Sequence, residues 1–436
     1  MNVPRVERDI GIEVFLTTTP GIGGKIRSVP EDFIVVEESE LPKPVEGGRY
    51  TIAIITTRNW ETNHLIRELS RRLHISRRRI SFGGTKDKRA KTTQAFCFSN
   101  VPKEKIESLD IKDVEIRDVY QADKPINIGD LQGNRFDIII RDISREVSEK
   151  QIEDILGEIK EHGGFPNFFG IQRFGVVRPI THLVGKQLVL ANFKEAVWIY
   201  LTWVDEKEEE AAKTARETLR ETNDYKEALK LFPVSLRFER AMLNHLVAKP
   251  NDYIGALQTL PRNLLTMFIS AYQSYLFNKI LSRRILRGLP INQAVVGDIV
   301  IPIRRGKLCD EEIPVTERNL DKVNRQLLRG KGFVSGVLLG SESRLAKGEM
   351  GEIEQKIIEE EGIDPRDFII PEIPYISSYG TRRIILAPIN NLSYNLGEDD
   401  LNPDRLALHL SFSLLKGCYA TSLLREIMKS TDVTMY

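Results

Sequence analysis

Two kinds of periodicity succeed one another along this chain, and their order constrains the fold more than any other feature. The runs Phe33-Ile34-Val35-Val36 and Tyr50-Thr51-Ile52-Ala53-Ile54-Ile55, bounded by Pro, Gly and charged residues, carry the signature of strands. Residues 59–75 then place Leu65, Ile66, Leu69 and Leu73 at helical spacing, with Thr62 or Asn63 as the expected N-cap and arginines on the opposite face. Gln94, Phe96 and Phe98 alternate with Ala95 and Cys97 as a strand, and residues 134–143 predict another. A Ser-x-x-Gln capping box opens a helix over 148–162 that stops at Gly163-Gly164. Helical patterns dominate 182–287, including the aromatic stretch 264–285, whose spacing predicts core packing. Strand-like runs return at 294–303 and 332–339. Past Pro374 the first pattern reappears: a run at 383–387, an alternating strand at 406–414, and a turn at 416–421 that enters a helix through Lys429. A helical middle set between two halves of a mixed α/β lobe follows, with the terminal segments sharing one sheet. With 436 residues the chain exceeds one ordinary core, so at least two lobes are expected.

Hydrophobic residues at 41% and charged residues at 29% describe a globular chain and exclude a largely disordered one. The net charge is only +1, so charge placement, not its total, carries information. Between Arg67 and Lys91 stand ten basic residues against two acidic ones, Glu68 and Asp87. A field of that sign attracts a polyanion, and nucleic acid is the commonest. Acidic stretches at 205–210 and 359–361 offset it. Cys97, Cys309 and Cys418 are odd in number and far apart, which fits neither a disulfide framework nor a Cys-x-x-Cys knuckle. The six histidines never fall at metal-ligand spacing, so no metal is implied. No run is long and apolar enough to span a membrane, and the amino terminus has no secretory pattern. The expected location is cytoplasmic.

Within the basic segment, Ser81-Phe82-Gly83-Gly84-Thr85-Lys86-Asp87-Lys88-Arg89-Ala90-Lys91-Thr92-Thr93-Gln94 sets one carboxylate in a glycine-broken loop among cations. An Asp in such a loop often caps an amide or pairs with a lysine. The functional alternative is an ionised Asp87, kept charged by its neighbours, acting as nucleophile or base. The order is not that of a phosphoryl-aspartate motif, and neither Gly-rich segment completes a P-loop. Asn167-Phe168-Phe169-Gly170-Ile171-Gln172-Arg173-Phe174-Gly175 is the second dense cluster. Its aromatics fit a core. Its Asn, Gln and Arg beside glycine kinks also fit an RNA-binding surface, where rings stack on unpaired bases and amides read their edges.

These clusters together resemble the tRNA pseudouridine synthase D family, in its archaeal type. The resemblance rests on residues 84–94, on residues 167–175, and on Leu414-Leu415-Lys416-Gly417-Cys418-Tyr419-Ala420-Thr421; Pro30-Glu31-Asp32-Phe33-Ile34-Val35 and Ala271-Tyr272-Gln273-Ser274-Tyr275-Leu276-Phe277-Asn278 match it too. The motifs come in family order and span nearly the whole chain. Leu415 stands where a proline is usual and Cys418 where a serine is common; neither change removes a catalytic group.

The resemblance implies an α+β fold: a pseudouridine synthase core of mixed, mainly antiparallel sheet with flanking helices, plus an inserted α/β domain, giving two lobes and a central cleft. It places the catalytic domain at 1–177 and 386–436 and the insert at 178–385. It implies isomerisation of a tRNA uridine, expected at position 13, without cofactor or metal, by a chain expected to be a monomer. By position Asp87 is the expected catalytic carboxylate and Phe169 the ring that stacks on the flipped uracil. Phe33, Asn167 and Tyr419 are expected to line the nucleotide pocket, Arg27 to stand beside the active site, and Lys86, Gln172 and Arg173 to contact RNA. The competing expectations are a non-catalytic RNA-binding or tRNA-chaperone protein on the same scaffold, and a cofactor-dependent base-modifying enzyme.

Overall fold

The computed structural model describes residues 2–86 and 88–433; Met1, Asp87 and residues 434–436 lie outside the described residues. In chain order the strands are β1 (Phe33–Ser39), β2 (Tyr50–Arg58), β3 (Ile80–Phe82), β4 (Lys91–Ser99), β5 (Val114–Ala122), β6 (Leu131–Ile143), β7 (Phe165–Pro166), β8 (Ile299–Arg304), β9 (Lys307–Leu308), β10 (Ile313–Pro314), β11 (Gly332–Leu338), β12 (Thr381–Ile384), β13 (Leu386–Ala387), β14 (Ile389–Glu398) and β15 (Leu406–Leu415).

The β-branched runs near the amino terminus and the alternating run near the carboxy terminus join one sheet in the order β14-β15-β6-β1-β4-β2-β5, with β3 on β4. Its ladders are antiparallel except β1 with β4, where Ile34 faces Lys91. Two parallel neighbours begin at the same end of a sheet. That register therefore sets Phe33, the first residue of β1, at the end where the chain arrives from Lys86 to enter β4. On the other flank β15 runs beside β6, pairing Leu414 with Asn134 and Leu415 with Gly133. A side chain at Gly133 would meet the Leu414 carbonyl at 2.4 Å, so glycine is what lets the two strands close up there.

The helix Thr62–Arg72 buries Leu65, Ile66 and Leu69 against Ile55, Phe82, Phe96 and Phe98 of this sheet and keeps its arginines outward. Its cap differs from expectation. The Glu61 carboxylate accepts the amides of Asn63 and His64, each at 3.0 Å, so neither Thr62 nor Asn63 caps the helix. Two acceptor oxygens satisfy two of the orphan amides at once, with a negative charge at the positive helix end. The Thr62 hydroxyl is left to accept the backbone amide of Lys86 at 2.9 Å. In Glu149–Glu161, Ser148 accepts the Gln151 amide as its motif predicts (3.2 Å), and the chain leaves through Gly163 and Gly164 at positive φ.

Helices fill 181–286 as expected and pack a second apolar core with Gly348–Glu361. A second sheet, β10-β8-β11-β12 with β9 on β8, lies between them and the first sheet's core, its residues Val300, Ile301 and Val334 joining Phe33 and Phe168 in one cluster. The 25-residue helix Arg262–Leu286 serves both cores: Ala271, Phe277 and Leu281 enter the first, Phe268, Tyr272 and Leu276 the second. Among the described residues no helix is long and apolar enough to cross a membrane.

One buried group makes this packing acid-sensitive. His182 lies between the Phe174 ring (centroids 5.2 Å apart) and the Tyr275 ring (5.0 Å). Burial pushes its imidazole from 6.5 down to about 4, opposed by the Asp9 backbone and the Glu361 charge. The unfolded chain therefore binds this proton more readily, so the histidine's contribution is complete above pH 6.5 and is lost as pH falls toward 4. The shift corresponds to about 3 kcal/mol at most. Thermal melts between pH 7 and 4.5 should show a steep loss of stability for the native chain and a shallower one for His182→Gln; parallel curves would reject His182 as the source.

Candidate active site

A cleft of about 560 Å³ opens where the start of β1, the segment entering β4, the start of β6 and the turn after β15 converge. Phe33 forms its floor. The ring is fully buried, edge-on to Phe136 (6.2 Å, 74°), which stacks on Phe412 (5.4 Å). The Arg27 guanidinium lies 4.1 Å from the Phe33 centroid, a cation on an aromatic face. The approach to Phe33 is fixed by Arg141, buried in β6, which binds Asp32 (2.7 Å) and Asp399 (2.8 Å) and joins the residue before β1 to the turn after β14. Lys25 pairs with the Arg141 backbone in both directions, which carries the same anchor to Arg27.

Gly83, Gly84, Thr85 and Lys86 form one wall, and Lys86 is the last described residue before position 87. The sequence suggests Lys86 as an RNA contact. Its ammonium instead binds Glu37 of β1 at 2.9 Å, with the two side chains only 4% and 3% exposed. Buried charges need such a partner. Lys86 thus ties this wall to the sheet.

The 167–175 segment lies behind the opposite wall. Asn167 is buried with both ends of its amide engaged: Nδ2 donates to the Ile384 carbonyl (3.0 Å) and Oδ1 accepts from Arg383 (2.7 Å). It is not among the residues bordering the cleft, and neither is Arg383. Phe169 is 5% exposed, packed against Phe277 (5.6 Å, 79°) and Tyr419 (5.9 Å, 49°). Asn278, from the long helix, holds the Phe169 backbone by both its amide and its carbonyl, each at 2.9 Å. Tyr419 is 41% exposed and borders the cleft at the N-terminus of Ala420–Met428. Gln172 is exposed on the rim. Its neighbour Arg173 turns inward, Nε donating to Ser274 (3.2 Å) with the guanidinium 5.7 Å from the Phe169 centroid. Burial pushes the Cys418 thiol up to about 12, so it packs as a neutral side chain.

Arg383 of β12 escapes sequence reasoning, yet it is the hub of this wall. Its guanidinium stacks 4.1 Å from the Phe169 centroid, 5.2 Å from Tyr419 and 5.6 Å from Phe277, and donates to Asn167. The available signal is the pair Arg382-Arg383 beside an apolar strand, where each arginine needs a partner on its own face. Arg382 finds Glu354 at 3.0 Å, and Arg383 finds the aromatic cluster.

Outside the cleft, Glu68 binds Arg71 (2.7 Å) and Arg72 (2.6 Å), and those hydrogen bonds hold its carboxyl at about 2. Arg79 donates to the carbonyls of Ser99 and Asn100. Arg67, Arg77, Arg78, Lys88 and Arg89 are exposed. Asp87, the expected catalytic residue, lies outside the described residues.

The family model for tRNA pseudouridine synthase D (TruD) matches residues 9–427. The chain is 46% identical over 440 residues to a probable tRNA pseudouridine synthase D of Methanococcoides burtonii, covering 100% of this chain and 99% of that one. It is 42% identical over 415 residues to the protein of the same description in Thermococcus gammatolerans, covering 95% and 97%. The crystal structure of the TruD protein from Methanosarcina mazei superposes with a TM-score of 0.88 at 44% identity, over 99% of this chain and 100% of that one. With matches that span the molecule in sequence and in three dimensions, the chain belongs to the tRNA pseudouridine synthase D family.

Proposed function

We propose that this protein converts a uridine of tRNA, at position 13, into pseudouridine, with Asp87 as the catalytic carboxylate. The observation that carries the reading is the convergence on one cleft of three sequence-distant segments: Phe33, the Gly83 to Lys86 wall that leads to position 87, and the Tyr419 turn. The reaction breaks the bond from ribose C1′ to uracil N1, turns the base, joins C1′ to C5, and exchanges the C5 proton for one on N1. It is an isomerisation and consumes no co-reactant. Asp87 acts on the ribose or on the base as nucleophile or proton acceptor.

A uridine must leave its stack to reach the cleft, at a cost of a few kcal/mol. Tyr419 is the first ring it meets. Phe169 stands one ring behind and takes the uracil face when Tyr419 swings aside, while Asn167 acts through Arg383. The catalytic unit comprises 1–177 and 386–436, and 178–385 is the insert. The protein works as a monomer in the cytoplasm.

The exposed cations Arg67, Arg77, Arg78, Lys88 and Arg89 hold the phosphates. Neutralising about five phosphates predicts a salt slope near −4, a loss of about two orders of magnitude in affinity between 50 and 200 mM salt. Filter binding of an unmodified tRNA transcript across that range checks it. The function itself is tested by incubating that transcript with the protein alone and mapping pseudouridine chemically. One new pseudouridine at position 13 is expected; an unchanged transcript would reject the reading.

A further inference from the structure

The loop before β6 carries a bare apolar side chain at the mouth of the cleft. Ile128 is 78% exposed, yet it borders the cleft beside Gly129 and Leu131. Among the described residues it joins none of the packed apolar clusters. A lone exposed isoleucine is ordinary on a protein surface. This one is distinguished by how rigidly it is presented. The Asn127 amide donates to Asp130 Oδ2 (2.8 Å) and the Asp130 amide to the Asn127 carbonyl (3.1 Å), closing the turn on itself. The Gly129 amide donates to the Gly83 carbonyl (3.1 Å), fastening the turn to the wall that leads to Lys86. Lys416 reaches across from the turn after β15 to the Gly129 carbonyl (3.1 Å), and Ser81 holds the carbonyl of Ile126. Gly129 sits at φ +106, which a residue with a side chain rarely adopts.

Backbone on both sides of Ile128 is thus committed, while its own side chain points to solvent at the rim of a site where a base must be taken from its stack. Extruding a nucleotide leaves a gap between its neighbours, and an apolar side chain entering that step keeps it open. Isoleucine has no hydrogen-bonding group with which to read a base, and its β-branched side chain is stiff. We propose that Ile128 is a wedge that enters the RNA stack as the target uridine turns into the cleft. This rests on the reading of the protein as a tRNA pseudouridine synthase.

The test uses the full chain, Ile128→Ala and Ile128→Met, with two tRNA transcripts. One keeps the native fold; in the other the residue that stacks or pairs with the target uridine is replaced, so the uridine is already loose. Ile128→Ala should lower kcat/KM about 30-fold on the folded transcript and less than about threefold on the loosened one, because the lost contribution is to unstacking. Ile128→Met, which restores apolar bulk, should recover most of the rate. With 2-aminopurine beside the target uridine, the fluorescence rise on binding should be strong for the native chain and weak for Ile128→Ala. Equal losses on both transcripts, or none on either, would overturn the wedge while leaving the enzyme assignment intact. A native chain that modifies neither transcript would instead overturn the assignment, and the wedge with it.

Discussion

Asp87→Asn is expected to lower pseudouridine formation in an unmodified tRNA transcript by at least about 10³-fold, while tRNA affinity stays within about threefold of the native chain. The amide has the size of the carboxylate but neither its charge nor its basicity, so it can neither attack carbon nor accept a proton. Binding should persist because the exposed cations proposed to hold the phosphates stand elsewhere, on and after the helix Thr62–Arg72. The wall itself should also survive the change. Lys86 is neutralised by Glu37 at 2.9 Å and its amide is held by Thr62, so neither contact depends on residue 87. A variant that keeps a tenth of native turnover would remove Asp87 from the chemistry. Loss of tRNA affinity in step with turnover would make it a brace of the loop and favour the chaperone reading.

Much of the fold is legible because most of its central strands satisfy local preference and tertiary need together. β1, β2, β4, β6 and β15 carry β-branched or alternating apolar residues, and each lies inside the main sheet. Its two edge strands alternate too, with Val114 and Ile116 in β5 and Leu392, Tyr394 and Leu396 in β14, but turn-forming and charged residues break the pattern. β14 contains Asn390, Asn391, Ser393, Asn395 and Gly397, turn-forming residues held extended by the ladder to β15, with a bulge between Asn390 and Ser393. β5 is polar on its open side, and its register shifts near Asp118, which sits at φ +47. The helix Gly348–Glu361 begins on a glycine with no side-chain cap, so its start is silent in the sequence.

The site divides in the same way. Motif residues near one another in sequence announce themselves, and Phe33, Tyr419 and Gln172 do border the cleft. What a side chain spends its polar atoms on depends on residues far along the chain. Asn167 has the amide of a base-reading residue, but its acceptor is taken by an arginine 216 positions away. Lys86 has the charge of a phosphate contact, but a glutamate 49 positions earlier takes it. Arg383 itself has no neighbouring motif to mark it.

That arginine should be the most sensitive position in the site after Asp87. Arg383→Met is expected to reduce kcat about 10²-fold with KM and tRNA affinity changed less than about threefold, since nothing that grips phosphate is altered. The guanidinium does two jobs that methionine cannot. Its Cζ lies 4.1 Å from the Phe169 centroid, an attraction of about 2 kcal/mol when water is excluded. It also satisfies Asn167 Oδ1, which would cost about 1–3 kcal/mol if left without a donor. Burial pushes the guanidinium below its ordinary value, against the pull of Tyr419 and Cys418, so lysine, with its lower intrinsic value and no flat face, should recover only part of the rate.

A fall in stability of about 3 kcal/mol is expected alongside, and by itself would not move kcat in the surviving folded protein. The double-mutant cycle with Asn167→Ala separates positioning from general packing: if Asn167 works by orienting Arg383, the second change adds little to the first. Additive losses would make the two residues independent. Native kcat in a folded Arg383→Met chain would show that the aromatic wall needs no cation behind it.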